Sequence, residues 1–302
     1  MAIITPDLLK GLNSGFLKIY QDALKATPSA WQEVASKIIS KTESNTYGWL
    51  GDWPELREWI GERQMRNMAA HGYQITNKKW ESTVPVPRTA IEDDTVGTYA
   101  MRFARMGQAA AQFPDKLVFG LLAKGHSEKC HDGKNFFDTK HPVYPKVDGS
   151  GTPADGVNSY GTGTGTAWYL LDTTSVLKPL IYQERLAPEF TWMTHPDDEK
   201  VFMSDEYRYG IRVRANVGFG FWQMAARSVK ALNKAHFEEV YDGMRSLKAD
   251  GGSPLGIRPN LLVVPTTLRS KAKEVVGVQR LADGSDNPNF ELVNVLDCAW
   301  LN

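Results

Sequence analysis

Between Tyr207 and Phe221 the chain alternates with a period of two. Tyr207, Tyr209, Ile211, Val213, Ala215, Val217, Phe219 and Phe221 fall on one parity, and Arg208, Arg212, Arg214 and Asn216 on the other. Successive side chains of a strand point to opposite faces, so this run predicts a long half-buried strand, or two strands meeting near Asn216. Such a strand is stable only if other elements cover its apolar face. The chain is long enough to provide them: its 302 residues, 42% apolar and 23% charged, fit one large folded domain or two ordinary ones and not a disordered segment.

The segments before this strand read mainly as helices. Thr5-Pro6-Asp7 is a helix start, with a hydroxyl cap, proline at the first position and an acid in the first turn. Leu8, Leu12, Phe16, Ile19 and Ala23 then give an amphipathic stripe. A short helix is expected from Ser29 to Ile39 with Trp31, Val34 and Ile38 inward, and another from Pro54 to about Ala70. From Tyr73 to Ile91 the helical signal is lost, and Trp80, Val84 and Val86 alternate with polar residues and prolines. Pro85 and Pro87 each remove a ladder donor and exclude a central strand. The expectation is a projecting hairpin, Tyr73–Thr76 and Lys79–Arg88, turning at Asn77 and removable without loss of fold.

A helix over Thr95–Gln112, about 27 Å long at 1.5 Å per residue, should be interrupted at Pro114 and followed by a shorter one ending at Gly125. Residues Gly125–Thr166 are rich in turn signals. Strands are expected at Leu177–Trp192, Ile257–Val264 and Phe290–Leu296. Helices are expected after Asn233 and over Pro265–Val276. Helices and strands are segregated along the chain, which places the fold in the α+β class.

Charge narrows the function. Lys plus Arg and Asp plus Glu both number 35, so no global field draws the chain to nucleic acid or an acidic membrane. A net charge near zero suits a subunit that packs against copies of itself. Two cysteines, Cys130 and Cys298, are too few for a disulfide framework, although a single bridge between them is open. The N-terminus lacks a basic leader region and no apolar run is long enough for a membrane span.

Of the groups able to do chemistry, His126, Cys130, His131 and His141 are zinc-ligand types within one loop, in the run Gly125-His126-Ser-Glu-Lys-Cys130-His131-Asp132-Gly133 and beyond. Their spacing matches no paired-ligand pattern, which favours a polar loop; the expectation is no metal and no cofactor. Gly161, Gly163 and Gly165 precede an apolar run that reads as a strand, so they form a linker and not a phosphate cradle. Arg208, Arg212 and Arg214 can meet DNA phosphates or a neighbour's carboxylates, or can simply face solvent. Asp197, Asp198 and Glu199 beside His195 read as a charged turn, and no nucleophile–base order is present, so no enzyme is expected.

Four blocks carry a resemblance. Trp59-Ile60-Gly61-Glu62-Arg63, Trp80-Glu81-Ser82-Thr83-Val84, Ile91-Glu92-Asp93-Asp94 and Phe136-Phe137-Asp138-Thr139-Lys140-His141-Pro142, in this order, resemble the Mu-like major head subunit family, gpT. With Pro259–Val276 the resemblance covers most of the chain. It implies the tailed-phage capsid fold named after phage Hong Kong 97. In that layout 1–53 is an N-terminal arm, 54–72 a helix leading to an extended loop at 73–91, and 92–176 a peripheral domain with a spine helix and a Gly-rich loop. Residues 177–302 are then an axial domain with returning peripheral strands.

The function it implies is structural. Hexamers and pentamers would form an icosahedral head around double-stranded DNA held by non-specific contacts, in a virion assembled in the host cytoplasm. A separate scaffold or protease and a portal are implied as partners, since the chain opens on the arm without an acidic or coiled-coil extension, and no membrane is involved. The expected subunit contacts are Leu8, Leu12 and Phe16 of the arm and Trp80, Val84 and Val86 of the hairpin. Two alternatives stand beside this one: a nanocompartment shell of the same fold, and a metal-dependent enzyme using His126, Cys130, His131 and His141.

Overall fold

The computed structural model describes residues 4–51, 72–93, 97–281 and 283–302, and the expected helix from Pro54 to about Ala70 lies outside them. The long alternating run forms one unbroken strand, Glu206–Phe219. It sits inside a four-stranded sheet, antiparallel to Leu180–Met193 on one side and to Lys78–Pro87 on the other. Ala35–Ile39 completes the sheet, parallel to the start of Leu180–Met193. The expected parity holds: Tyr207, Tyr209, Ile211, Val213 and Ala215 are buried, while Arg208 and Arg214 are half-buried and Arg212 is exposed. A register irregularity near Arg212 to Ala215 adds local twist.

Two helices cover the apolar face. The arm helix Pro6–Ala26 starts as its sequence demands, with Thr5 Oγ1 accepting from Leu8 N–H at 3.2 Å. It crosses the long helix Gly97–Lys124, and Phe16 stacks on Phe103 with ring centroids 4.2 Å apart. Both rings meet Tyr209 edge-on at 5.2 Å, so arm, long helix and sheet share one aromatic cluster. The crossing is close because Gly107 has no side chain: a Cβ there would stand 2.4 Å from the carbonyl oxygen of Tyr20.

The long helix does not stop at Pro114. It runs through that residue to Lys124. An interior proline costs roughly 3 kcal/mol, and burial of Phe103, Met106 and Ala110 before it and Val118, Phe119 and Leu122 after it offsets that cost. Asp115, next in sequence, is buried and its Oδ1 accepts from Ala30 N–H at 3.0 Å and Trp31 N–H at 2.8 Å. It thereby satisfies the free donors where the chain turns out of the arm.

The helix expected over Ser29–Ile39 is a single turn, Trp31–Val34, followed by the strand Ala35–Ile39. The open edge of Leu180–Met193 gives these residues ladder partners, and the extended form wins over a weak helical stripe. The expected hairpin is also corrected. Gln74–Thr76 pairs with Ser44–Thr46, not with Lys78–Pro87, which holds side by side the two ends of the segment that lies between them. Lys78–Pro87 pairs along its whole length with Glu206–Ala215 as an edge strand, where its prolines are tolerated. Asn77 is no solvent turn: it is buried, donates to Ser40 Oγ at 2.9 Å and accepts from Gln183 Nε2 at 2.9 Å.

A second, mixed sheet has the order Asn294–Cys298, Leu261–Pro265, Trp168–Leu171, Ala225–Ser228 and Ser159–Tyr160. The helix Lys234–Arg245, capped by Asn233 as expected, buries Phe237, Val240 and Met244 in the core beside it. The helix Arg269–Val276 buries Ala272, Val275 and Val276 there, its expected first turn being a short 3-10 helix, Thr266–Leu268. The core is shared with the first sheet through Tyr182, Val213, Ala215 and Phe219. Cys130 and Cys298 are both buried free thiols, so no bridge joins them. Among the described residues no helix is long and apolar enough to cross a membrane.

Burial raises the pKa of Asp115, and the N–H bonds from Trp31 and Ala30 only partly counter it. A carboxyl whose folded pKa is raised contributes stability that is present below its unfolded value near 4 and lost as pH rises through the folded value. Asp115→Asn keeps an acceptor oxygen and removes the buried charge. Its thermal stability relative to the parent should therefore grow as pH rises above about 4. Asp115→Ala leaves both N–H groups without their partner and should lose about 1–3 kcal/mol, read by thermal or denaturant unfolding.

Candidate assembly surface

The six expected contact residues do not form a free surface. Phe16 and Val86 are buried in the chain's own aromatic cluster with Phe103, Tyr207 and Tyr209. Leu8, Leu12 and Val84 are half-buried against the same cluster. Trp80 is half-buried as well: its Nε1–H donates to the carbonyl of Ala215 at 3.1 Å and its ring meets Phe113 at 5.1 Å. Trp80 lines an apolar groove of about 480 Å³ with Phe113, Leu117, Val213 and Trp300, and Val84 lines a shallower one beside the long helix. Their partial cover within the chain has a simple cause. An apolar stripe on an edge strand reads the same whether a neighbouring subunit or a distant part of the same chain covers it.

The opposite face of the sheet carries the arginines. Arg212 stands directly opposite Glu81 on one neighbouring strand and Glu189 on the other. Residues opposite one another share a face, so these three form a row of alternating sign. Arg208 pairs with Glu206 at 3.7 Å. Much of the positive stripe therefore already has carboxylates of its own chain beside it.

Exposed apolar side chains gather instead at the far end of the long strand pair. Between Leu180–Met193 and Glu206–Phe219 the chain makes an excursion with a short helix, Glu199–Ser204. Val201 points into the core, whereas Phe202 is 82% and Met203 71% exposed. Trp192 and Met193, on the adjoining strand end, are 44% and 43% exposed. Lone exposed apolar residues are ordinary, but several large ones on one tip mark an interaction surface. Sequence reasoning saw only the charges here, Asp197, Asp198 and Glu199, and they do form a turn in which Asp198 Oδ2 accepts from His195 N–H at 2.9 Å. The overlooked signal was the adjacent pair Phe202-Met203 inside so polar a stretch.

The loop after the long helix separates the expected metal ligands. His126 is exposed, with Nδ1 near the Ala123 carbonyl, and His131 lies against Phe221. Cys130 and His141 do converge, and the group between them is Asp132, which stood in the same run but outside the expected ligand set. Asp132 Oδ2 lies 2.6 Å from His141 Nδ1, and Cys130 Sγ donates to Asp132 Oδ1 at 3.1 Å. Burial works against the Asp132 charge, but the hydrogen bond and charge of His141 outweigh it and lower its pKa to about 2. Burial, and then the negative Asp132, push the Cys130 thiol up.

A sheet clasped by an arm helix and a long helix, joined through one core to a second helix-flanked sheet, is the architecture of a tailed-phage capsid subunit. The subunit of the bacteriophage JBD30 procapsid superposes on it with a TM-score of 0.87 and 64% identity, covering 98% of this chain and 100% of that one. The chain belongs to the family described as Mu-like prophage major head subunit gpT, matched over residues 9–301. It is 42% identical over 292 residues to the major capsid protein of Escherichia phage Mu, covering 96% of each chain. It is 45% identical over 279 residues to the Mu-like prophage FluMu major head subunit of Haemophilus influenzae, covering 91% of each. The fold is the Hong Kong 97-like capsid fold and the function that of a major head subunit in the capsid of a virion. Neither the nanocompartment nor the metal-dependent enzyme is favoured by these relatives.

Reversing the centre of the charged row should be felt in the folded chain. Arg212→Glu places three carboxylates side by side across the sheet, at about 0.2–1 kcal/mol for each like-charged pair. Thermal unfolding should show a loss larger than that of Arg212→Gln, and the difference should shrink as salt is added.

Proposed function

We propose that the subunit closes an icosahedral shell as hexamers and pentamers, and that the apolar tip formed by Trp192, Met193, Phe202 and Met203 is one of its contacts with neighbouring copies. The observation that carries this is the exposure of Phe202 and Met203, 82% and 71%, on a protein whose family builds heads. Leaving such side chains in water forgoes about 25 cal/mol for every Å² that a neighbour would cover. Trp80, at the wall of its groove, is a second contact of the same kind. Phe16 and Val86 act within the chain, holding the arm helix and the edge strand to the sheet.

In this layout the arm helix, the long helix and the four-stranded sheet are the peripheral unit. The five-stranded sheet with Lys234–Arg245 and Arg269–Val276 is the axial unit. The shell encloses double-stranded DNA through non-specific contacts and assembles in the host cytoplasm, with a separate scaffold or protease and a portal as partners. Arg208, Arg212 and Arg214 serve contacts with protein more than with DNA, because Glu81, Glu189 and Glu206 stand beside them and weaken any field a phosphate would feel.

Phe202→Asp with Met203→Asp should leave the subunit folded, since neither side chain enters the core, and should prevent closed shells in electron micrographs of the overexpressed protein. Shells formed as efficiently as by the parent would refute the tip as a contact. Deleting 73–88 should abolish soluble folded protein, because it removes the edge strand and Asn77 together; circular dichroism of the soluble fraction reads this.

A further inference from the structure

The one group of convergent, chemically mixed ligands in the described residues lies in the loop that joins the long helix to the second sheet, apart from the proposed assembly contacts. We propose that Cys130, Asp132 and His141 form a structural site for one thiophilic divalent cation of the zinc class. A sulfur, a carboxylate oxygen and an imidazole nitrogen lie there within 4.8 Å of one another. A tetrahedral zinc ion bonds sulfur at about 2.3 Å and nitrogen or oxygen at about 2.0–2.2 Å, so three donors around it need separations in this range. The side chains need to shift only by fractions of an ångström to open the 2.6 Å contact between Asp132 and His141.

The loop is built to hold these donors still. Cys130 N–H donates to the Lys134 carbonyl at 2.8 Å, and Gly133, at a positive φ of 79°, closes the tight turn with its N–H on the Cys130 carbonyl at 3.1 Å. Asp132 Oδ1 also accepts from Lys134 N–H at 2.9 Å, which orients the carboxylate from behind. The His141 ring is fully buried and lies flat on Trp222, with centroids 4.0 Å apart and planes at 7°. Its Nε2 is buried and has no hydrogen-bond partner among the described residues. Asp132 keeps 11% of its side chain exposed, which leaves the ion a path from solvent.

Charge and protons balance. The Cys130 thiol gives one proton to solvent on binding, any proton on His141 Nδ1 leaves with it, and the imidazole binds through Nδ1 with its hydrogen on Nε2. Thiolate and carboxylate then neutralise the dication, so the loaded site carries no net charge. The site would staple the end of the long helix to the pair His141–Val143 and Ala154–Gly156.

The test is cobalt(II) titration of the full-length protein after chelator treatment, with elemental analysis of zinc in protein purified without chelator. The expected result is a thiolate-to-cobalt charge-transfer band saturating at one equivalent per chain. Cys130→Ser should abolish the band, and Asp132→Asn should weaken binding by about tenfold or more. Cys298→Ser and His126→Ala should leave it unchanged. A folded parent protein that shows no such band and carries no zinc would overturn the proposal and reduce the cluster to a hydrogen-bonded lock. A band retained in Cys130→Ser but lost in Cys298→Ser would overturn it too. Because the parent alone decides the first of these outcomes, a variant that fails to fold does not blunt the test.

Discussion

Everything packed on the four-stranded sheet depends on covering one face of the strand Glu206–Phe219. That strand is paired along both edges, so its backbone is satisfied and only its side chains need partners. Tyr207, Tyr209, Ile211 and Val213 offer an apolar face that neither the arm helix nor the long helix could cover alone. The stacking of Phe16 on Phe103 over Tyr209 brings the three elements to one point, and Gly107 lets the helix backbones approach closely enough for it. The arm is thus a structural member of its own chain before it is anything to a neighbour.

This explains what sequence could and could not disclose. Period-two alternation is local: side-chain direction depends only on extended backbone, so Tyr207 to Phe219 was legible without knowing its partners. The caps at Thr5 and Asn233 were legible for the same reason, since each satisfies a donor three residues away. Strand pairing is not local. Trp80, Val84 and Val86 suit a hairpin or an edge strand equally, and only the long-range ladder to Glu206–Ala215 decides between them. Pro114 misled because helix propensity is a weak prior once both flanks of a helix are buried.

The candidate sites divide in the same way. Cys130 and His141 were visible as ligand types, but which groups converge follows the turn geometry that brings Asp132 between them and leaves His126 in solvent. The exposed tip was hidden by its charges: Asp197, Asp198 and Glu199 dominate the composition of the turn, and burial alone separates inward Val201 from outward Phe202 and Met203. Family membership came from blocks spread along the chain, which are insensitive to any one misplaced element. A shell protein can tolerate this division of labour, because its interior needs a unique fold whereas its contacts are repeated in every copy and can be individually modest.

A shell closed by this chain would cover the apolar end of its long strand pair with a second copy. A cryo-electron-microscopy reconstruction of particles formed by the overexpressed full-length chain tests it directly. The account predicts closed icosahedral shells in which Phe202 and Met203 are buried against a neighbouring subunit; shells in which both side chains face solvent would contradict it.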